Sequence, residues 1–294
     1  MKLAVLGGAG RLGSWITRFL IAHNIETVIA TPDLKKHKRF IDELGLEAYS
    51  DNVNAVKSAD GVIISVPLES TVTVLKEIIP HIKQNTFIIE VSSIKTPVEK
   101  FLKENNKHLL EKNISVLSIH PMFGPGAKTL KRKNIILIPY PGNETILQNA
   151  KEFLQREEAC VVECTYREHD QKVAFTLALP HFLTMLFTAV VSNNRFKNDF
   201  KNYSGTTFKI LKLLSESLPS ESWKLYSHIQ IDNNYTVKVL ESLKTYFNKL
   251  FEIIVSKDID GFKKFWDNNI LPISDDKTSW RKAYSKIYNL IDRI

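Results

Sequence analysis

The first half of the chain alternates short runs of β-branched residues with amphipathic stretches. Strands are predicted over the apolar runs Leu3–Leu6, Thr27–Ala30, Gly61–Val66, Phe87–Val91, Val116–Ile119, Ile135–Ile138 and Cys160–Val162. Helices are predicted where apolar residues recur at helical spacing, over Arg11–Ala22, Leu34–Leu44, Thr71–Ile79 and Thr145–Gln155. Since alternating β and α units favour a parallel sheet covered by helices, we predict an α/β fold with a doubly wound, mainly parallel sheet.

From Tyr166 onward the strand signal fades and the periodicity becomes helical. Apolar residues recur three or four positions apart in one long stretch, at Val237, Leu240, Leu243, Phe247, Leu250, Phe251 and Ile254. We therefore predict two domains, an N-terminal Rossmann domain over residues 1–165 and an all-α domain over residues 166–294.

Residues 173–191 form an apolar stretch that approaches the length of a membrane span. The stretch also contains Pro180, His181 and three threonines. A helix that is apolar on nearly all sides can be the central helix of a larger protein or a subunit interface. We therefore predict a buried helix and no membrane contact.

The composition is that of a soluble globular protein, with 44% hydrophobic and 24% charged residues. The net charge is +8, but the basic residues are scattered, which favours a solvated surface and an anionic small molecule over nucleic acid. Cys160 and Cys164 lie in one β-like run, Ala159–Cys164, where their Cα atoms would be ~13 Å apart and beyond disulfide reach. Reduced thiols and an N-terminus without a secretory signal predict a cytoplasmic protein.

Residues 8–13 read Gly-Ala-Gly-Arg-Leu-Gly, between the first predicted strand and the first predicted helix. In this G-x-G-x-x-G context the first glycine makes a tight turn, the second lets the backbone approach a pyrophosphate, and the third lets the helix pack on the strand. Amides at the helix start then face the phosphates. We predict that Gly8, Gly10, Arg11, Leu12 and Gly13 bind NAD or NADP.

The end of the second predicted strand selects between these two cofactors. An acidic residue there would bind the ribose 2′-hydroxyl of NAD, and Asp33 stands about twenty residues past the last glycine. Thr31, Lys35 and Lys36 would instead suit the 2′-phosphate of NADP. These residues are compatible with either cofactor and favour NADP by a small margin. We predict that Thr31 and Asp33 contact the cofactor.

Further candidate residues follow predicted strands. Because ligands of doubly wound sheets bind at the carboxyl ends of the strands, Ser65, Val66, Pro67 and Ser92 are expected to border the cofactor. His120 also follows an apolar strand. A histidine delivered by a strand end toward a dinucleotide is placed to move a proton while a hydride leaves, which predicts an oxidoreductase.

These motifs together resemble the prephenate dehydrogenase family, and most closely its archaeal and bifunctional-enzyme type. The resemblance covers most of the chain. Besides the glycine motif it rests on Ser93-Ile94-Lys95, His120-Pro-Met-Phe-Gly-Pro125, residues 168–182 (EHDQKVAFTLALPHF) and Leu225-Tyr226-x-x-Ile229-Gln230. The second and third of these segments are rare enough to be specific.

The resemblance implies an activity, oxidative decarboxylation of prephenate to 4-hydroxyphenylpyruvate in tyrosine biosynthesis. In that family a ring carbon transfers a hydride to NAD(P)+, the ring carboxylate leaves as CO₂, and the ring becomes aromatic. The protein must align the ring with the nicotinamide and accept the hydroxyl proton. The resemblance also implies a homodimer paired through the helical domain.

The resemblance assigns roles to individual residues. His120 matches the catalytic histidine, Ser93 matches a serine that orients it, and His181 matches a histidine that contacts the substrate. His169 matches a motif position near the cofactor or the cleft. Lys209 stands where the family often has an arginine that binds a substrate carboxylate. A lysine keeps the charge but loses the bidentate fork. Either Lys209 binds this carboxylate, or Arg132 or another basic group does.

Three other classes of protein compete with this interpretation. An arogenate dehydrogenase has the same fold and chemistry, and the residues do not separate it from a prephenate dehydrogenase. A reductase of the 6-phosphogluconate dehydrogenase type needs a lysine in a helical Gly-x-x-x-Lys setting, which we do not find. A catalytically silent nucleotide sensor has no reason to combine Ser93, His120 and His181. We expect a monofunctional enzyme without a metal site.

Overall fold

The computed structural model describes residues 1–273 and 277–292. The chain forms two compact units that divide between Lys172 and Val173. The first unit is α/β and the second is helical, which confirms the predicted fold class. The division lies later in the chain than the predicted domain boundary at residue 165.

One eight-stranded sheet forms the centre of the first unit. Its strands are β1 (Lys2–Leu6), β2 (Glu26–Ala30), β3 (Glu47–Tyr49), β4 (Gly61–Ile64), β5 (Phe87–Glu90), β6 (Ser115–Pro121), β7 (Asn134–Pro139) and β8 (Cys160–Glu163). Their order is β3-β2-β1-β4-β5-β6-β7-β8. The strands β1 to β6 are parallel, whereas β7 runs antiparallel to β6 and β8 runs parallel to β7. The chain order reverses between β1 and β4, and such switch points are where doubly wound sheets bind ligands.

Helices connect most of these strands. They are α1 (Arg11–Ala22), α2 (Lys38–Leu44), α3 (Asn52–Val56), α4 (Thr71–Ile78), α5 (Thr96–Glu104), α6 (Asn106–Glu111), α7 (Glu144–Arg156) and α8 (Tyr166–Val173). Helices on the sheet bury the central strands, so every residue of β4 and nearly all of β1 are buried. This burial explains why both strands are continuous apolar runs.

The second unit begins with a π-helical turn, Ala174–Ala178, and continues as helices. They are α9 (Leu179–Ser192), α10 (Thr206–Ser217), α11 (Trp223–Ile231), α12 (Thr236–Val255), α13 (Ile259–Asn269) and α14 (Lys277–Ile291). Packing of α9 on α10 brings the ring of Phe187 to 5.8 Å from that of Phe208, measured between centroids. The helices α12 and α13 also pack together.

Most of the apolar stretch predicted as a buried helix is not buried in the single chain. It belongs to a helix of 27 residues, Tyr166–Ser192, that is long and apolar enough to cross a membrane by length and composition. No residue of α9 is buried, and Leu183, Leu186 and Val190 are exposed. The prediction of burial within this chain is therefore wrong for α9, whereas Val173, Ala174 and Ala178 are buried. The physical reason is that α10 and α12 cover only part of a surface that is apolar nearly all the way around.

Candidate active site

The strand β6 carries His120 near its carboxyl end. The residue is buried, with 4% of its surface exposed. Glu90, the last residue of β5, pairs with Ser118, so β6 extends beyond its neighbour. Side chains two residues apart on a strand share a face. His120 and Ser118 therefore point to the same side of the sheet.

The helix α8 covers this side of β6. It begins with a capping box, in which Thr165 N–H donates to Glu168 Oε2 at 2.9 Å and Glu168 N–H donates to Thr165 Oγ1 at 3.2 Å. Tyr166 is buried in the first turn and accepts a hydrogen bond from the Ser118 hydroxyl at 3.2 Å. Because residues three apart on a helix share a face, His169 follows Tyr166 toward the sheet.

The ring of His169 connects His120 to a carboxylate. Nδ1 of His120 lies 2.8 Å from Nε2 of His169, and Nδ1 of His169 lies 2.7 Å from Oδ1 of Asp170. A carboxylate only accepts, so Nδ1–H of His169 donates to Asp170, and Nε2 of a neutral His169 accepts from Nδ1–H of His120. This network assigns the tautomers and leaves Nε2 of His120 unprotonated. We refer to Asp170, His169 and His120 as the Asp–His–His triad.

Asp170 is fixed from its other side by the start of α5. The backbone N–H groups of Lys95 and Thr96 donate to its carboxylate at 3.0 and 2.8 Å, and the Thr96 hydroxyl also donates to it. A carboxylate is favoured at a helix N-terminus because of the unsatisfied amides and the helix dipole there. The position of Asp170 is therefore set by α5 as well as by α8.

Burial and neighbouring charges keep both imidazoles of the triad neutral. Burial lowers the pKa of His120 well below its ordinary value, and positive charge on Lys95, or on His169 when it is protonated, lowers it further. Burial also lowers the pKa of His169, although its hydrogen bond to Asp170 opposes this. Burial alone would raise the pKa of Asp170, but the hydrogen bonds from His169, Thr96 and Lys95 hold it below its usual value. A neutral imidazole with a free nitrogen lone pair is the form that a general base requires.

The predicted glycine turn forms a tight cradle between β1 and α1. Gly7 has a left-handed φ of +76°. A Cβ atom on Gly13 would lie 2.0 Å from the Gly7 carbonyl oxygen, and one on Gly8 would lie 2.6 Å from the side chain of Ile29. No side chain caps α1 at Gly10, so the amides of its first turn can donate to an anion. The cradle fits the pyrophosphate of a dinucleotide.

The turn after β4 lies against this cradle, because β1 and β4 are neighbouring strands. A Cβ atom added to Gly7 would lie 2.5 Å from the Ser65 carbonyl oxygen and 3.2 Å from Cα of Val66. The structure thus brings Ser65, Val66 and Pro67 next to the glycine turn, while Arg11 and Leu12 form the first turn of α1.

The segment after β2 contains a buried threonine followed by exposed charged residues. The strand ends at Ala30, and the next residue, Thr31, is buried. Asp33 is exposed and accepts a hydrogen bond from the backbone N–H of Lys36 at 2.9 Å. Lys35 and Lys36 are also exposed. The strand therefore ends without an acidic residue, and Asp33 stabilises a local turn.

Ser93 does not orient His120 in this structure. It is half-buried and has no hydrogen bond to His120 within the described residues. Nδ1 of His120 contacts Nε2 of His169 instead. This contact corrects the prediction for Ser93. His169 was expected near the cofactor or the cleft, and it lies against His120. It is fully buried, and both of its ring nitrogens are already hydrogen-bonded.

Ser92, which was predicted to border the cofactor, binds groups of the protein itself. It is buried, and both its backbone N–H and its hydroxyl bind the carboxylate of Glu90. Its hydroxyl also lies 3.0 Å from the Ile94 carbonyl oxygen. The fold itself therefore satisfies the polar groups of Ser92.

Two predicted substrate residues belong to the second unit. The ring of His181 lies edge-on to that of Tyr226, with centroids 5.0 Å apart. Nδ1 of His181 is buried without a hydrogen-bond partner in the described part of the chain, and burial lowers the pKa of this histidine. Lys209 is exposed in the first turn of α10. The third candidate, Arg132, is exposed in the first unit, where its backbone N–H donates to the Glu158 carbonyl at 2.8 Å.

Two residues of the site were missed from the sequence. Asp170 could have been found from the adjacent His-Asp pair at the polar start of an otherwise apolar helix. Trp15 gives no comparable signal. Its Nε1–H donates to the Ala127 carbonyl at 2.6 Å and its ring contacts Phe123 at 5.3 Å between centroids, which ties the segment after His120 to α1. Among the residues that the structure describes, no group of three or more His, Cys, Asp or Glu could hold a metal ion.

Family models match both parts of the chain. Residues 16–163 match the nucleotide-binding domain of prephenate dehydrogenase, and residues 165–267 match its dimerization domain.

Individual proteins are similar in sequence to this chain over most of its length. A probable arogenate/prephenate dehydrogenase from Methanocaldococcus jannaschii is 27% identical over 267 residues, which are 90% of this chain and 59% of that protein. The T-protein of Haemophilus influenzae is 23% identical over 89% of this chain and 64% of its own length. The chain thus spans less than two thirds of the length of these relatives.

Solved structures share the fold. The prephenate dehydrogenase of Aquifex aeolicus, in complex with hydroxyphenyl propionate and NAD+, superimposes with a TM-score of 0.74 at 17% identity, over 94% of this chain and 98% of that one. The arogenate dehydrogenase of Synechocystis gives a TM-score of 0.69 at 15% identity, over 97% of this chain and 100% of that one. Since the family models match most of the described residues, the chain belongs to the prephenate dehydrogenase family.

Proposed function

We propose that the chain catalyses the oxidative decarboxylation of prephenate to 4-hydroxyphenylpyruvate, with NADP+ as the hydride acceptor. The observation that carries this proposal is the Asp–His–His triad, which leaves Nε2 of the buried His120 unprotonated at the carboxyl end of β6. The glycine cradle follows β1 at the same edge of the parallel sheet. Membership of the family and the names of the relatives support the class of substrate.

The triad acts on the ring hydroxyl of the substrate. Nε2 of His120 accepts the hydroxyl proton as the carbon–oxygen bond becomes a carbonyl. When bound, the nicotinamide supplies the acceptor for the hydride that leaves the same ring carbon. Loss of the ring carboxylate as CO₂ leaves its electron pair in the ring, which becomes aromatic, and His120 returns the proton to the phenol oxygen.

The transient positive charge on His120 is stabilised through the rest of the triad. Nδ1–H of His120 donates to His169, and Nδ1–H of His169 donates to the Asp170 carboxylate. In Ser-His-Asp hydrolases a buried carboxylate fixes the tautomer of the base and stabilises its protonated form in the same way. Here a second imidazole stands between the carboxylate and the base.

The residues after β2 support NADP as the cofactor. A dehydrogenase that prefers NAD presents an acidic residue near the end of this strand to the ribose 2′-hydroxyl. Here Thr31 follows the strand, and the carboxylate of Asp33 is bound to the N–H of Lys36. The exposed ammonium groups of Lys35 and Lys36 suit a 2′-phosphate.

The substrate contacts assigned to the second unit remain part of the proposal. The buried, unpartnered Nδ1 of His181 supports a role in binding a polar ligand, because a buried polar atom without a hydrogen bond is costly. Lys209 is our candidate for the carboxylate anchor because of its exposed ammonium in the first turn of α10. Arg132 is the alternative anchor.

We further propose that the protein is a cytoplasmic homodimer paired through the second unit. Large apolar side chains are exposed on both α9 and α12, among them Leu186, Val190, Phe247 and Phe251. Exposed apolar patches of this kind mark interaction surfaces. The match to a dimerization domain supports a second copy of the chain as the partner. Light scattering of the purified protein tests this, and a monomeric mass at micromolar concentration would contradict it.

The activity is tested by assaying the purified chain with prephenate or arogenate and with NAD+ or NADP+, in all four combinations. We expect reduction of NADP+ in the presence of prephenate, with release of CO₂ and 4-hydroxyphenylpyruvate. Turnover of arogenate but not of prephenate would identify arogenate as the substrate instead. Binding of NADP+ without its reduction by either substrate would overturn the proposal in favour of a silent nucleotide-binding protein.

A further inference from the structure

A lysine beside the triad is completely removed from solvent. The side chain of Lys95 has no exposed surface, and its ammonium lies 2.7 Å from Oε1 of Glu90, which is equally buried. The same ammonium donates to the Ile119 carbonyl at 2.9 Å. Ile119 directly precedes His120, so the Lys95 side chain is bound to the main chain at the residue before the proposed base.

The backbone of Lys95 contacts the opposite end of the triad. Its N–H donates to Oδ1 of Asp170 at 3.0 Å, the oxygen that also accepts from His169. One residue therefore contacts the main chain next to His120 and the carboxylate that orients His169.

Glu90 completes this arrangement on the other side of the ammonium. Its second oxygen accepts hydrogen bonds from the N–H and the hydroxyl of Ser92, which fixes the turn that leads from β5 to Lys95. Asp170 on α8 and Cys164 after β8 also act on the pKa of Lys95, and the charge of Lys95 lowers the pKa of both His120 and His169.

A buried ion pair is weak evidence for a role in stability. Burial lowers the pKa of Lys95, although the charge of Glu90 and its hydrogen bond oppose this shift. Apolar side chains of similar volume often replace buried ion pairs without loss of stability. The directional contacts of the pair, with the Ile119 carbonyl and the Ser92 turn, give it a function that an apolar pair could not provide.

We propose that Lys95 is a positioning residue, which with Glu90 holds the main chain of β6 and the Asp170 carboxylate in register so that Nε2 of His120 stays where the substrate hydroxyl binds. Lys95 is too deeply buried to touch the substrate, so it acts through His120. The inference rests on the proposed function, because it assigns Lys95 to the same reaction.

The test uses the double variant Lys95→Met/Glu90→Gln in the full chain. Removing Lys95 alone would leave a buried carboxylate without its cation and endanger folding, whereas the double variant removes both charges. The matched control is Lys112→Met. The Lys112 ammonium also binds backbone carbonyls of the first unit, those of Ile79, Pro80 and Ile82, and it is not part of the triad.

The double variant is expected to lose about 100-fold in kcat while its KM for NADP+ is unchanged, since small displacements of a catalytic group cost that much. The pH below which activity falls should also move upward, because the charge of Lys95 helps to lower the pKa of His120. Lys112→Met should change neither quantity. Full kcat and an unchanged pH profile in a folded double variant would overturn the positioning role.

A second measurement separates this inference from the proposed function. In the wild type, imidazole ¹⁵N NMR should detect the protected Nδ1–H that His120 donates to His169, and in the double variant this signal should broaden or exchange faster. An identical signal in both proteins would count against Lys95 even if the wild type turned over neither substrate. Failure of the wild type in the turnover assay would overturn the proposed function alone.

Discussion

Nε2 of His169 lies 2.8 Å from Nδ1 of His120, and both rings are buried. The proposed base therefore contacts a second imidazole, and the carboxylate of Asp170 acts one step further away. Because Asp170 only accepts, it fixes the tautomer of His169, which in turn fixes the tautomer of His120. The directions of the two hydrogen bonds determine which nitrogen of His120 can accept a proton.

Substitution of the carboxylate should therefore disable the base from a distance. In Asp170→Asn the amide can donate to His169 and favour the wrong tautomer, so kcat should fall on the order of 10³ to 10⁴-fold, as in Ser-His-Asp enzymes. The KM for NADP+ should not change. Steady-state kinetics measures both quantities. Asp51→Asn is the control, because Asp51 caps α3, away from the triad, and should keep full turnover. Normal turnover by Asp170→Asn would remove Asp170 from the mechanism.

The buried histidines should make stability depend on pH. The pKa values of His120, His169 and His181 are lowered from 6.5, so the unfolded chain binds more protons than the folded chain below that pH. Stability is thus fully present above pH 6.5 and is lost as the pH falls through it, by up to about 1.4 kcal/mol per pH unit for each histidine that stays neutral.

Urea unfolding at about pH 7.5 and about pH 5.5 measures this loss. His23 contributes with the opposite sign, because hydrogen bonds to the Phe19 carbonyl and to Glu157 raise its pKa. Comparison of the wild type with His120→Asn at both pH values isolates His120, and the variant should lose less stability on acidification. An equal loss in both proteins would mean that His120 is not held neutral by the fold.

The glycine cradle gives a prediction about packing. In Gly13→Ala the new methyl group would lie 2.0 Å from the Gly7 carbonyl oxygen, so the turn must shift. We expect a loss of about 1–3 kcal/mol in the free energy of unfolding, together with weaker NADP+ binding. Denaturant unfolding and isothermal titration calorimetry measure these changes. Gly124→Ala is the control, because a Cβ there meets no atom within 4 Å. Unchanged NADP+ affinity in Gly13→Ala would argue against the cradle as the phosphate site.

Cofactor preference should change when the two exposed lysines after β2 are removed. The double variant Lys35→Ala/Lys36→Ala is expected to lose about tenfold in kcat/KM with NADP+, the equivalent of about 1.4 kcal/mol, and to keep its value with NAD+. The control is Lys38→Ala, since Lys38 is already paired with Asp42. An equal loss with both cofactors would show that these lysines do not recognise the 2′-phosphate.

Most of the fold was predictable because the buried strands are continuous apolar runs with helical periodicity between them. The strand β3 was missed because it has three residues, none of them buried, and gives no apolar run. The predicted helix from Leu34 begins only at Lys38, since the carboxylate of Asp33 binds the Lys36 N–H and forms a turn instead. The antiparallel direction of β7 depends on its pairing with β6, which periodicity does not encode.

Only part of the site was predictable, because some of its contacts join residues that are far apart in the sequence. His120 and the glycines have local signals, because a strand end and a tight turn are properties of short segments. The contact of His120 with His169 joins residues 49 positions apart, and it depends on how α8 docks through Tyr166 on Ser118. The family motif around Ser93 led to a predicted contact that the structure gives to His169.

The role of His120 as the general base is tested by comparing the wild type with His120→Asn in steady-state turnover of prephenate with NADP+. The wild type should reduce NADP+ and release CO₂, whereas His120→Asn should lose about 10² to 10⁴-fold in kcat, the usual contribution of a general base. Its affinity for NADP+ should remain that of the wild type, because His120 is not part of the glycine cradle. A His120→Asn variant that turns over prephenate at the wild-type rate would show that His120 is not the base.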